Sequence, residues 1–72
     1  MEQIIAREIS SLMLEFYAKL NASLKLVQQR CSEDEFKEYR RAIGLVMGEM
    51  TTEVLMPLYK EHPDLEPPEF KV

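Results

Sequence analysis

Apolar side chains recur at every third or fourth position over the first sixty residues of the chain. Between positions 2 and 31, Ile5, Ile9, Leu12, Met13, Phe16, Tyr17, Leu20, Leu24, Val27 and Cys31 share one side of a helix turning by about 100° per residue. Arg7, Ser11, Lys25 and Gln29 lie on the opposite side, Ile4, Leu14 and Leu26 lie off the main stripe, and no Gly or Pro interrupts the stretch. The pattern predicts one long amphipathic helix. A second stripe, Phe36, Tyr39, Ile43, Val46, Met47, Met50, Val54 and Leu58, predicts another over residues 33–62. Its start is marked by SEDE: Ser32 followed by Glu35 is a capping box, and three acids in the first turn suit the positive end of the helix dipole. Pro63 stops it.

Phase decides between two helices and one. In a continuous rod the two stripes would point roughly 160° apart and would need partners on opposite sides. A tight turn at Cys31 and Ser32 lets them face each other, so an antiparallel hairpin is predicted. Both helices rise equally per residue, so residues whose numbers sum to about 64 should lie level. Phe16 and Tyr17 then come level with Met47 and Gly48, Ile9 with Leu55, and Ile5 with Tyr59.

The segment GLVMGEMTTEVLMPLY, residues 44–59, departs from a simple stripe. Gly44 and Gly48 lie one turn apart inside a helix, where each Gly costs about 1 kcal/mol relative to Ala. They offer a shallow groove either to Phe16, Tyr17 and Leu20 within the chain or to the backbone of a second chain. Leu45, Gly48, Thr52, Leu55, Met56 and Tyr59 form a second apolar stripe that a lone hairpin leaves exposed. Together with Gly44 these residues are the predicted interface. Pro57 cannot donate to the Glu53 carbonyl, so the helix should kink there or end near Leu55 and restart, re-aiming Leu58 and Tyr59.

Composition narrows the picture further. Seventy-two residues with 46% apolar and 31% charged side chains are one small folded domain at most. Two glycines, and no Pro before Pro57, argue against a multi-turn β architecture. A two-helix hairpin hides one seam, and small scaffolds make up such a deficit with a disulfide, a metal or association. Cys31 is the single cysteine, which removes the first option within one chain. No complete ligand set for the second is legible, which leaves association. The predicted fold is therefore all-α: an antiparallel hairpin of helices spanning about 2–31 and 33–62, broken near Pro57, dimerising into a four-helix bundle. Residues 1–62 form the hairpin domain and residues 63–72 an extended Pro-rich tail, partly docked through Leu65.

Candidate chemistry is sparse. Glu49 and Glu53 stand one turn apart, but without a Glu-x-x-His pair they read as a solvent-facing acidic stripe. His62 suits the negative end of its helix, and Cys31 reads as a small apolar residue at the turn. The two lie at opposite ends of the second helix, about 40 Å or more apart at 1.5 Å per residue, so they form no catalytic pair. GLVMG lacks the Lys-Ser/Thr of a phosphate loop. Lys25, Arg30, Lys37, Arg40 and Arg41 make the tip locally basic, but Glu33, Asp34, Glu35 and Glu38 neutralise it.

With a net charge of −4, neither nucleic acid nor an anionic membrane is an expected partner. The first residues lack the basic start and apolar run of a signal peptide, and no membrane span is visible, so a cytoplasmic location is expected. The sequence predicts a non-enzymatic protein, without cofactor or metal, that binds other protein. A homodimer is the first reading. Adaptor or inhibitor of another, basic protein is the alternative, and a bundle holding a metal or an apolar ligand is the weakest.

Overall fold

The computed structural model describes residues 1–70 and is all-helical among them. Helix α1 spans Gln3–Arg30 and α2 spans Glu33–Glu49, with Cys31 and Ser32 turning the chain between them. A π-helical segment, Met50–Leu55, leads into the short helix α3, Met56–Glu61. The hairpin is the predicted one, drawn out to 44 × 20 × 17 Å.

The turn is built as the sequence requires. Ser32 Oγ accepts the Glu35 backbone N–H at 3.1 Å, and Glu35 Oε1 accepts the Ser32 N–H at 3.2 Å. Two otherwise unpaired N–H groups at the start of α2 are thus satisfied reciprocally. Cys31 is exposed there, so the apolar role expected of it is not realised.

Pro57 explains the π-helical segment. In an α-helix the Glu53 carbonyl would take its hydrogen bond from residue 57, and proline has none to give. The chain widens instead: the Met56 N–H reaches back five residues to the Thr51 carbonyl. One residue is thereby inserted into the turn, and α3 restarts with Pro57 in its first turn. Every side chain beyond the insertion is rotated by about 100° relative to an unbroken helix. That rotation turns Leu55 and Tyr59 inward against α1, where they are buried together with Leu58.

The core sits at the open end of the hairpin. Ala6, Leu55, Leu58 and Tyr59 form it, with Met13, Tyr17, Leu65 and Phe70 packed around them. On α1 the small residues Ala6 and Ser10, one turn apart, make room for the larger residues opposite. Tyr59 brings its hydroxyl to Ser10 Oγ at 2.5 Å, and both residues are buried. Toward the tip only Ile43 is buried, and the seam there consists of half-exposed residues such as Leu24, Val27, Phe36 and Tyr39.

The tail is not extended. Pro63–Leu65 and Pro68–Phe70 are single 3-10 turns, each opened by a proline whose fixed φ suits a first helical position. They fold the tail back onto the core. Phe70 stacks on Tyr17 with ring centroids 6.2 Å apart and meets Tyr59 edge-on at 5.9 Å. Docking thus uses Phe70 as well as Leu65, while the last two residues of the predicted tail lie outside those described.

Removing one partner of the Ser10–Tyr59 pair strands the other in the core. Tyr59→Phe and Ser10→Ala should each cost about 1–3 kcal/mol, and the double variant clearly less than their sum. Urea unfolding of the four proteins reads this directly.

Candidate functional site

The predicted interface divides in two. Gly44, Leu45, Gly48, Thr52 and Met56 are exposed on the outside of the hairpin. Leu55 and Tyr59 are not available: both belong to the chain's own core. The π-helical insertion is the reason, because an unbroken helix would have carried them beside Gly48 and Thr52. The glycines also lack the intramolecular role considered for them. A Cβ built on Gly44 or Gly48 would meet nothing within 4 Å, so Phe16, Tyr17 and Leu20 do not lie against them. The close approach within the chain uses Ala6 and Ser10 instead, a small pair one turn apart that the stripe of large residues on α1 obscures.

Tyrosine hydroxyls tie the seam together. Tyr17 bonds to Thr51 Oγ1 at the start of the π-helical segment and to the Met47 carbonyl at 3.4 Å. Thr51 Oγ1 donates to that same carbonyl at 2.9 Å. Near the tip, Tyr39 OH pairs with Ser23 Oγ at 2.7 Å. Among the described residues no buried side-chain polar atom lacks a partner. These groups are occupied in holding the two helices in register.

The termini of the hairpin are clasped by a polar cluster. His62 Nε2 faces the Met1 carbonyl at 2.8 Å and Glu61 Oε1 at 3.0 Å, and Nδ1 faces Gln3 Oε1 at 2.7 Å. Gln3 Nε2 donates to Asp64, which fixes the orientation of its amide. Both ring nitrogens thus lie within hydrogen-bond distance of neighbouring oxygens. His62 acts as a strut between the start of α1 and the end of α3, a role the sequence reading did not assign. The amine of Met1 donates to Glu61 at 2.7 Å. That hydrogen bond and charge, with a smaller contribution from His62, hold the Glu61 carboxyl below its ordinary pKa.

At the tip, two of the bases are engaged locally. Lys37 pairs with Glu33 at 3.7 Å, and Arg40 lies over the Phe36 ring at 5.7 Å. Glu49 and Glu53 are both exposed. Among the described residues no three of His, Cys, Asp and Glu converge as metal ligands, and no helix is long and apolar enough to cross a membrane. The remaining feature of note is apolar surface: Ile5, Leu12, Phe16, Leu26, Leu45, Val46 and Met56 all stand open to solvent. Comparison with protein-family models, with curated proteins and with solved structures finds no match.

Because the folded-state pKa of Glu61 is lowered, its contribution to stability is present above the ordinary carboxylate pKa and is lost as the pH falls through the lowered value. Glu61→Gln should therefore unfold at slightly lower denaturant than the parent at neutral pH. The two curves should converge in acid. Paired denaturation curves across that pH range check the sign.

Proposed function

We propose that this is a non-enzymatic protein that works by binding protein, and first of all by pairing with itself into a four-helix bundle. Surface area carries the reading. A folded monomer of 8.5 kDa ordinarily exposes about 4,700 Å², whereas this chain exposes 5545 Å². The excess, roughly 850 Å², is close to what each partner contributes to a standard protein interface. Its shape agrees: the radius of gyration is 14.4 Å, against about 11 Å for a compact domain of this length. Pairing two such rods side by side restores ordinary proportions, and the exposed apolar side chains supply the driving force.

Adaptor or inhibitor of a different, basic protein is the second reading. The acids bordering one side of α2, Glu35, Glu38 and Glu49, favour it, because a basic amphipathic helix would find both apolar contact and opposite charge there. A cytoplasmic setting fits either reading.

Light scattering after size exclusion, at micromolar concentration, should give near twice the 8.5 kDa chain mass. A well-folded species at the chain mass itself would count against self-pairing and leave the heterologous reading standing.

A further inference from the structure

The apolar stripe of α1 is wider than its contact with α2. Ala6, Ser10, Met13 and Tyr17 face the core, whereas Ile5, Ile9, Leu12 and Phe16 occupy a band about 60° wide on one flank. Ile5, Leu12 and Phe16 are 45%, 40% and 42% exposed. Ile9 shares a groove with Glu53, Val54, Pro57 and Glu61, and Val27 shares another with Tyr39, Ala42, Glu35 and Glu38. The flank of α1 therefore continues across the seam onto α2, where Val46 is 48% exposed. The other side of the seam is treated differently. There the tail covers the open end, with Phe70 against Tyr17 and Tyr59.

Charge orders the two borders of this bare side. Along α2, the π-helical segment and α3 the border carries Glu35, Glu38, Glu49, Glu53 and Glu61, while Lys37, Arg40, Arg41 and Lys60 project elsewhere. On α1 it carries Glu8, Glu15, Lys19 and Arg30, which sum to zero charge. Packing α2 on a second α2 would set five acids against five acids. Packing α1 on the partner's α2 sets a neutral border, with Arg30 level with Glu35, against the acidic one.

Resting on the self-pairing reading above, we propose that the second copy seats on this bare side. Its contact is Ile5, Ile9, Leu12 and Phe16 of α1 on the Val46 side of the partner's α2, about a two-fold axis parallel to the helices. The surface is isologous, so each copy offers α1 and receives it on α2. This arrangement leaves Leu45 and Met56 outside the contact and puts the two tips, each with its exposed Cys31, at the same end of the bundle.

Light scattering and thiol crosslinking together test it, with circular dichroism as the check on folding. The parent chain should run at twice its mass. Leu12→Glu combined with Val46→Glu should stay helical, since neither side chain is buried, and run as a single chain. Leu45→Glu combined with Met56→Glu should remain dimeric. A short bis-maleimide should join the parent's two Cys31 thiols and fail to join those of the Leu12/Val46 variant. If the Leu45/Met56 variant dissociates and the Leu12/Val46 variant does not, the proposed face is wrong while self-pairing stands. A parent dimer that resists crosslinking overturns the parallel axis. A parent chain that is monomeric overturns the face and the self-pairing reading together.

Discussion

One helix in this molecule carries more apolar circumference than a single antiparallel neighbour can cover. The stripe on α1 runs from Ala6, Ser10 and Tyr17 on one edge to Leu12 and Phe16 on the other, and α2 meets the first edge. Burial of apolar surface is the dominant favourable contribution to folding, and an uncovered second edge leaves part of that contribution unrealised within the chain. Within the chain, the tail supplies a third layer over the open end through Leu65 and Phe70. The flank of Ile5, Leu12 and Phe16 stays open.

The second constraint is local. Proline at position 57 removes one hydrogen bond, the chain answers with a single widened turn, and the added residue re-phases all that follows. Without it, Leu55 and Tyr59 would lie beside Thr52 on the outside of the hairpin. With it they become core, Tyr59 reaches Ser10, and Phe70 gains the two tyrosine rings it packs against. The irregularity is the device that closes the core.

Much of the fold was legible in the sequence because the signals are local. The two stripes, the capping box at Ser32 and Glu35, the stop before Pro63 and the break near Pro57 each act over one or two turns. Which residues of 44–59 face outward was less legible. Periodicity treats residues 33–62 as one phase, and the one-residue insertion before Pro57 breaks that phase. Leu55 and Tyr59 were assigned outward for that reason. Gly44 and Gly48 drew attention as small residues, while the small pair that receives the opposing helix, Ala6 and Ser10, lies among larger residues that mask it. The strut at His62 joins residues about sixty positions apart and had no sequence signature.

The open flank of α1 is the proposed seat of a second copy. Isotope-filtered NOE spectroscopy on a mixture of labelled and unlabelled chains sees contacts between copies and nothing else. Cross-peaks from the Phe16 ring of one copy to the Val46 methyls of the other are the predicted result. Filtered cross-peaks confined to Leu45 and Met56, or none at concentrations where the chain is folded, would contradict it.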